Sequence, residues 1–344
     1  MVRQLVREHP IPTGRQLAEA GLVAPNWPRP YGLDADVLGQ LAVDEELAAA
    51  GVERPQNQIG IGWAGPTILA GGTPEQQARY LPPMLAGEEI WCQLFSEPGA
   101  GSDLASLQTR AIRDGDDYVI HGQKVWTTWA DHADYGILLA RTSTEAKRHQ
   151  GISYFLLDMH QPGIDVRPIR EMSGGHHFNE VFLDGARVPV AQRVGEEGDG
   201  WRLAVVTLGN ERVNLATGGL CWGLGPTHDD FVERVREEGV ADPILRQRVA
   251  DVVIHGEVIR WLGERQAVAL AGGRPPGPEA SVRKVLADEH GQRVTSCAVD
   301  LWGWDDAGDD WRWAYLFSRA LTIGGGTGEV QRDILGERVL GLPR

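Results

Sequence analysis

Basic residues are scarce in this 344-residue sequence. It contains 33 lysines and arginines against 48 aspartates and glutamates, so its formal net charge at pH 7 is −15. A nucleic-acid surface and an anionic membrane both require a basic face, and we therefore exclude them as the main partners. An anionic small molecule stays possible, because a few local arginines suffice to bind it.

Cysteine is scarce as well, and long apolar runs are absent. The three cysteines form no C-x-x-C pair, and their odd number suits a reducing cytoplasm better than a disulfide framework. No run of about eighteen apolar residues exists, and the first residues, MVRQLVREHP, have no apolar signal core. The sequence therefore predicts a cytoplasmic protein with no membrane span, no export signal and no metal ion.

The hydrophobic period changes twice along the chain, which predicts an α+β protein of three domains. Residues 1–90 read as short helices broken by proline. Residues 91–195 carry runs rich in Val, Ile, Tyr and Phe with turn residues at about ten-residue spacing, which favours a small antiparallel barrel or sandwich. Residues 196–344 return to helical spacing. The predicted helices there cover 200–224, 243–270 and 280–301, with a Gly/Pro loop at 272–279.

One helix start is signalled in detail. Thr73 is a suitable N-cap, Pro74 suits the first helical position, and Gln76 stands three residues after the cap. This is the capping-box pattern, so we predict a helix that begins at Pro74.

Residues 200–219 contain a carboxylate in an unexpected place. Read as a helix, the stretch has an apolar stripe at steps of three and four: Trp201, Ala204, Leu208 and Leu215. Glu211 falls on that stripe. A buried carboxylate is costly unless it is paired, and burial raises its pKa toward the range useful for proton transfer. The stretch alone leaves two interpretations open: a catalytic base, or a partly exposed glutamate paired with Arg212.

Three further segments carry groups suited to ligand binding. CQLFSEPGAGSDLAS (92–106) is a glycine-rich loop with exposed backbone N–H groups and hydroxyls. GQKVWTTWADHADY (122–135) places tryptophans and threonines at a strand end, where they suit a flat heterocycle. GGGTGEVQRDILGERVLGLPR (324–344) has a glycine-rich turn, but neither the βαβ context of a dinucleotide fingerprint nor a Walker lysine accompanies it.

Together these segments resemble one family, the acyl-CoA dehydrogenases. The EPGAGSD loop, GQKVW with its threonines, HFNEVFLDGARVP, the NER helix and the terminal GGT-x-E-x-QR segment stand in the family's order and spacing. The resemblance spans residues 15–344. It implies an N-terminal helical domain (1–90), a central β-barrel (91–195) and a C-terminal four-helix bundle (196–344), with FAD between barrel and bundle and usually a tetramer.

The resemblance also assigns site residues. Those implied to contact FAD are Gln93, Leu94, Ser96, Trp126, Thr128, Arg236, Gln247, Thr327 and Glu329. Among them, the Thr128 hydroxyl matches the group near the flavin N5. Ser102 matches a position that faces the substrate, and Arg212, beside the implied base, is also implied to bind the substrate.

The base itself distinguishes two branches of the family. Many members carry a glutamate in the C-terminal loop as Glu-Gly-Thr, but this chain has glycine at that position, Gly325. A minority branch, which includes the isovaleryl- and long-chain-type enzymes, carries the base on a bundle helix in a Glu-Arg motif. The segment NERVNLA matches that arrangement. The resemblance therefore implies that Glu211 is the base.

Three departures from the family pattern concern FAD and the N-terminus. The phenylalanine expected between Arg236 and Gln247 is Gly239. The Gln-x-x-Gly-Gly element near the adenosine appears as DLWGW (300–304), which keeps only Gly303. The N-terminal domain is shorter than the family's by about one helix.

The implied reaction is α,β-dehydrogenation of an acyl thioester to the trans-2-enoyl thioester. Glu211 removes the α-proton while a hydride passes from the β-carbon to the flavin. Hydrogen bonds to the thioester carbonyl stabilise the enolate-like charge. The implied partners are an acyl-CoA or a carrier-bound acyl thioester and an electron-transfer flavoprotein.

Two alternatives stay open. Flavin monooxygenases such as amine N-hydroxylases share this fold, but they need no α-proton base, so Glu211 counts against them. The other alternative is one subunit of a heteromeric dehydrogenase of the steroid side-chain type, in which only one chain supplies the base. The departures near the FAD adenosine keep that alternative open.

Overall fold

The computed structural model describes residues 1–144, 146, 148–217, 219–271, 277 and 280–343. Of the Gly/Pro loop predicted at 272–279, all but residue 277 lies outside the described residues. The chain divides into two compact units. The first comprises Met1–Arg170 and His176–Asn210, and the second comprises Glu171–Gly175 and Glu211–Arg344. The three-domain boundaries given above stay a prediction.

The first unit begins with short helices. They are α1 (Val2–Glu8), α2 (Gly14–Glu19), α3 (Val37–Ala49), α4 (Gly65–Gly71) and α5 (Pro74–Ala86), with a π-helical turn at Gly60–Ala64. Helix α5 begins where the sequence predicts. The Thr73 side chain accepts a hydrogen bond from the Gln76 N–H, and the Gln76 side chain accepts one from the Thr73 N–H.

Eight strands of the first unit form one sheet. They are β1 (Trp91–Leu94), β2 (Arg110–Asp114), β3 (Asp117–Thr128), β4 (Tyr135–Arg141), β5 (Ile152–Asp158), β6 (Ile164–Ile169), β7 (Phe178–Pro189) and β8 (Arg193–Val194). The strand order is β6-β7-β3-β2-β4-β5-β8, and β1 pairs with β4. Inward-facing apolar residues of these strands form one core that includes Tyr118, Phe155 and Val181.

The antiparallel sheet predicted from the sequence is partly wrong. Strands β1 and β2 both pair with β4 in the parallel direction, whereas the other pairs are antiparallel. Both parallel pairs join strands that are not consecutive in the chain, so no hairpin connects them. Such a long-range pairing leaves no turn signal in the sequence.

Helix α6 (Gly200–Thr217) begins in the first unit, and its residues from Glu211 onward belong to the second. The second unit continues with α7 (His228–Glu238), α8 (Pro243–Ala271), α9 (Ala280–Trp302), α10 (Asp309–Phe317) and α11 (Gly328–Ile334), followed by a π-helical turn at Leu335–Val339. A core that includes Phe231, Val252, Val294 and Trp311 joins α7, α8, α9 and α10.

The helix predicted at 200–224 ends too late. Helix α6 stops at Thr217, and Cys221 and Trp222 then adopt left-handed backbone angles, with φ of +50° and +58°. Residues other than glycine rarely adopt left-handed backbone angles, so the pattern of apolar residues alone does not reveal such a break. In the described part of the chain, no helix is both long and apolar enough to cross a membrane.

Candidate active site

The buried stripe of α6 contains Glu211. Its buried positions include Ala204, Thr207, Glu211 and Leu215, at steps of three and four, and Leu203 is buried beside them. The sequence prediction placed Leu208 and Trp201 on this stripe, but both are only half-buried. Thr207 replaces Leu208 because its hydroxyl bonds to the Thr67 and Tyr154 hydroxyls, at 2.8 and 3.1 Å. Glu211 itself is 7% exposed, so the exposure that the alternative interpretation expected is wrong, whereas its pairing with Arg212 stays untested.

Glycine at position 325 leaves room beside this carboxylate. A Cβ atom built on Gly325 would lie 3.7 Å from Glu211 Oε1, 3.4 Å from Lys284 Cε and only 2.5 Å from Leu215 Cδ1. The backbone there is left-handed, with φ of +67°. Position 325 and the Glu211 carboxylate therefore share one location in the second unit. A side chain at position 325 would therefore occupy the space next to the Glu211 carboxylate.

A buried lysine lies on the other side of position 325. Lys284 of α9 is fully buried, and its Nζ donates to Asp288 Oδ2 at 2.5 Å, to the Leu321 carbonyl at 3.0 Å and to the Gly324 carbonyl at 2.7 Å. Burial raises the pKa of Asp288 to about 7, although the Lys284 charge opposes the rise. The turn before Gly325 is thus bound to α9 through side-chain hydrogen bonds.

Arg212 is half-buried beside Glu211. Burial lowers the pKa of its guanidinium, the Arg338 charge lowers it further, and the Glu211 charge opposes both. Its Nε is buried and has no hydrogen-bond partner among the described residues. A buried donor in this condition is suited to a ligand acceptor. The implied substrate contact of Arg212 stays a prediction.

The C-terminal turn continues into α11. The Thr327 hydroxyl caps this helix by accepting the Val330 N–H at 3.3 Å. Glu329 lies exposed in the first turn, where its own backbone N–H and Thr327 hold the pKa of its carboxyl below the usual value. The FAD contacts implied for Thr327 and Glu329 stay predictions, since no contact within the chain tests them.

In the first unit, the residues implied around the flavin follow β1. Leu94 is fully buried, whereas Gln93 and Ser96 are half-buried. The Ser96 carbonyl accepts the Val125 N–H at 3.0 Å, which ties the end of β1 to β3. Ser102 lies exposed on the following loop.

A buried ion pair fixes that loop. Glu97 accepts the backbone N–H groups of Gln108 and Thr109 at 2.6 and 3.0 Å, and Lys124 Nζ donates to it at 2.8 Å. Lys124 also donates to the Phe95 carbonyl at 3.0 Å. Burial lowers the pKa of Lys124 to about 8, against the opposing charge of Glu97. The pair closes the loop at both ends.

Strand β3 bends where the aromatic wall was predicted. Its register with β7 shifts between Lys124 and Thr127, and Trp126 adopts a left-handed φ of +60°. The Trp126 indole is 60% exposed and touches Phe178 edge-on, with ring centroids 6.1 Å apart. Thr128 is half-buried and pairs with Phe178 across the sheet. The bend therefore presents an exposed flat side chain.

Arg236 and Gln247 are exposed, at the end of α7 and near the start of α8. Gly239, which replaces the expected phenylalanine, ends α7 with a positive φ and has open space around it. Asp300 forms an ion pair with Arg248 at 2.5 Å, and Gly303 lies beyond the end of α9 with a φ of +77°.

The sequence matches known proteins along nearly its whole length. Models of the N-terminal, middle and C-terminal domains of acyl-CoA dehydrogenases match residues 1–88, 92–186 and 198–340. The acyl-CoA dehydrogenase IpdE1 of Mycobacterium tuberculosis is 41% identical over 344 residues, which cover 96% of this chain and 87% of IpdE1. The chain belongs to the acyl-CoA dehydrogenase family.

Two other proteins extend this comparison. The acyl-CoA dehydrogenase FadE34 of the same organism is 46% identical over 332 residues. The match covers 95% of this chain but only 46% of FadE34, so the chain spans about half the length of that relative. The ChsE4-ChsE5 complex from M. tuberculosis has a structure similar to this chain, with a TM-score of 0.81 and 34% identity. That match covers 96% of this chain and 89% of the other.

Family membership confirms the resemblance and the fold class predicted from the sequence. It also confirms that the chain is an oxidoreductase of the acyl-CoA dehydrogenase class. Members of this family are generally flavoproteins that bind FAD. The individual site residues and the role of Glu211 are untested by these comparisons.

Sequence reasoning missed two buried ion pairs next to the implied site. They are Glu97 with Lys124 in the first unit and Lys284 with Asp288 in the second. A signal existed for the second pair, because a lysine and an aspartate four residues apart interrupt the apolar face of α9. Lys124 gave a weaker signal, as a charged residue at an inward-facing position of β3.

Proposed function

We propose that this chain catalyses the α,β-dehydrogenation of an acyl thioester and that Glu211 is the base that removes the α-proton. The observation that carries the proposal is the location shared by Gly325 and the Glu211 carboxylate, 3.7 Å from a Cβ at position 325. The branch of the family with its base in the loop has a glutamate where this chain has glycine. In this chain helix α6 thus provides the carboxylate, and the glycine in the C-terminal turn leaves the space for it.

The residues of both units suit FAD by their chemistry. In the first unit, the exposed indole of Trp126 offers an aromatic face, and the half-buried Thr128 hydroxyl follows it. In the second, Arg236 and Gln247 are exposed and therefore accessible to the FAD of another subunit. Gln93, Leu94, Ser96, Thr327 and Glu329 complete the proposed set. When bound, FAD supplies the acceptor for the hydride that leaves the β-carbon.

The chain's own residues handle the proton and the thioester. The α-carbon–hydrogen bond breaks, its electron pair forms the new double bond, and the proton moves to a Glu211 carboxylate oxygen. Leu215 is buried one helical turn after Glu211 and beside position 325, where it helps to exclude water. Ser102 and Arg212 are proposed to contact the substrate, since one is an exposed hydroxyl and the other a buried donor without a partner among the described residues.

The proposed substrate is an acyl-CoA or a carrier-bound acyl thioester, and the proposed electron acceptor is an electron-transfer flavoprotein. The proposed assembly is a homo- or heterotetramer. The three cysteines are free and buried, which suits the cytoplasmic location proposed from their number and spacing.

A second candidate is one subunit of a heteromeric acyl-CoA dehydrogenase. One comparison favours it: the similar ChsE4-ChsE5 structure is a complex of two named chains. In this candidate Glu211 keeps its role, but full FAD binding requires a partner chain. The ion pair between Asp300 and Arg248, in the element that departs from the family's adenosine contact, is consistent with it.

The test uses the purified chain without oxygen. Its flavin spectrum is recorded, and straight-chain, branched and steroid side-chain acyl-CoAs are added in turn. We expect bleaching with at least one thioester and a loss of about 10²–10⁴-fold in its rate in Glu211→Gln. Glu233→Gln, an exposed glutamate of α7, is the matched control and keeps the wild-type rate.

An unchanged rate in Glu211→Gln would contradict the role of Glu211. A colourless chain that stays colourless with every partner dehydrogenase chain tried would contradict FAD binding. A chain that acquires flavin only when it is produced together with such a partner would favour the heteromeric candidate.

A further inference from the structure

Lys284 is a fully buried lysine that the proposed reaction does not use. A buried ammonium is costly unless its protons are paired, and it carries three of them. Here Asp288, the Leu321 carbonyl and the Gly324 carbonyl provide three acceptors within 3.0 Å. Two of these acceptors belong to the backbone of the turn that precedes Gly325. The Lys284 side chain therefore holds this turn through two of the turn's backbone carbonyls.

A second buried side chain, from a residue that follows the turn in sequence, holds the same turn. Gln331 of α11 is 1% exposed, and its Nε2 donates to the Gly325 carbonyl at 3.0 Å and to the Gly326 carbonyl at 3.4 Å. Four carbonyls of one short segment thus accept hydrogen bonds from two buried side chains.

The turn requires such external restraint because of its composition. Residues 324–326 are all glycine, so they have no side chains that could fix the backbone by packing. Glycine also loses more conformational freedom on folding than any other residue. Gly325 and Gly326 have φ of +67° and +88°, and released from their bonds they would sample other angles. The space beside Glu211 depends on the path of this backbone.

We propose that Lys284, together with Gln331, is a positioning residue that holds the 324–327 turn in the path that leaves room beside the Glu211 carboxylate. The Cβ position of residue 325 lies 3.4 Å from Lys284 Cε and 3.7 Å from Glu211 Oε1, so both side chains border the same point. Asp288 keeps the ammonium in place. The proposal rests on the proposed function only for its catalytic consequence, since the effect on the turn is independent of it.

The first experiment measures hydrogen–deuterium exchange of the peptide that covers 321–331. Its protected amides include Gly324 N–H, bonded to the Ala320 carbonyl, and Gly328 N–H, bonded to the Thr322 carbonyl. The variant is Lys284→Met with Asp288→Asn, which removes the donor without leaving an unpaired buried carboxylate. We expect exchange to be about tenfold faster in this peptide, because two charge-assisted hydrogen bonds to the turn are lost.

Two variants are the controls for this measurement. Asp288→Asn alone keeps Lys284 as a donor to both carbonyls and leaves an amide oxygen to accept its third proton, so exchange of the turn rises less than in the double variant. Glu211→Gln removes the base and not the restraint, so exchange of the turn is unchanged. Wild-type exchange in the Lys284→Met, Asp288→Asn double variant would overturn the proposal. Should that variant fail to fold, Gln331→Leu tests the same turn, and unchanged exchange in it would also overturn the proposal.

The second experiment measures kcat and KM with the thioester that bleaches the wild-type flavin. A displacement of about 1 Å in a site lowers the rate about 10²-fold. We therefore expect kcat of the double variant to fall by about that factor, with KM within about threefold. Lys284→Arg keeps the charge and restores part of kcat, although a planar guanidinium cannot match all three acceptors.

The two experiments separate the two ways of failing. If the wild type bleaches with no thioester while exchange of the turn rises in the double variant, the proposed function fails and the restraint stands. If wild-type kcat persists in the double variant, the positioning role fails and the proposed function stands.

Discussion

The substitution Gly325→Ala is the most direct probe of the space beside Glu211. Its cost has two physical sources. A non-glycine residue at φ of +67° adds about 1–2 kcal/mol of backbone strain. The new Cβ would lie 2.5 Å from Leu215 Cδ1, and relief of such an overlap costs about 1–3 kcal/mol. We therefore expect the free energy of unfolding to fall by about 2–5 kcal/mol.

A double-mutant cycle with Leu215→Ala separates these sources. Leu215 is 6% exposed, so its truncation alone costs about 2–5 kcal/mol. In the double variant the overlapping methyl is absent, so the double variant should be destabilised by less than the sum of the two single variants. The coupling between the sites should be about 1–3 kcal/mol. The assay is urea-induced unfolding followed by circular dichroism for the wild type, both single variants and the double variant.

Gly303→Ala is the matched control, since its φ is +77° but its Cβ would meet nothing within 4 Å. It should show the backbone strain alone. The reasoning is refuted if Gly325→Ala destabilises no more than Gly303→Ala. Full additivity of Gly325→Ala and Leu215→Ala would refute it as well.

Two other predictions concern buried charged or titratable groups. Burial lowers the pKa of His290 to about 3, so the unfolded chain binds a proton below pH 6.5 that the folded chain does not. His290 should therefore contribute a loss of about 2 kcal/mol between pH 7 and 5, opposite in sign to the contribution of Asp288, whose pKa is raised. Over that range the wild type should lose about 2 kcal/mol of stability relative to His290→Gln, whereas His121→Gln, at an exposed histidine, should follow the wild type; an equal pH dependence of the wild type and His290→Gln would contradict this assignment. Lys124→Met should cost about 3–5 kcal/mol in urea unfolding because it leaves Glu97 buried without its ion-pair partner, and adding Glu97→Gln should recover part of that cost; no recovery would show that the charge is not the cause.

Local signals in the sequence predicted local features of the fold. The capping box at Thr73 and Gln76 involves residues three apart, so its chemistry is readable in one dimension. The spacing of Glu211 to Leu215 placed it on the apolar stripe of α6, but the stretch alone left a partly exposed glutamate open, and the structure decides for burial. Leu208 was placed wrongly on that face because its neighbour Thr207 is buried by hydroxyl partners distant in sequence.

Features that depend on distant residues were not predictable in this way. The parallel pairing of β1 with β4 joins strands separated by about forty residues, and no local pattern encodes it. Lys284 of α9 likewise restrains the 324–327 turn through the carbonyls of Leu321 and Gly324, which are about forty residues away in sequence. The Lys284–Asp288 spacing was visible in the sequence, but its backbone partners were not.

The identity of residue 325 and the proposed placement of the base on α6 are linked by space and by charge. A glutamate at 325 would bring a second carboxylate close to Glu211, and two like charges so close raise the pKa of one of them strongly. Glycine avoids this repulsion and the overlap with Leu215, but it also removes any side chain that could hold the turn. Lys284 and Gln331 supply the missing restraint through backbone carbonyls. The proposed base on α6 is thus matched to a glycine in the turn, and that turn is held by buried donors, so a substitution in any of the three elements should affect the other two.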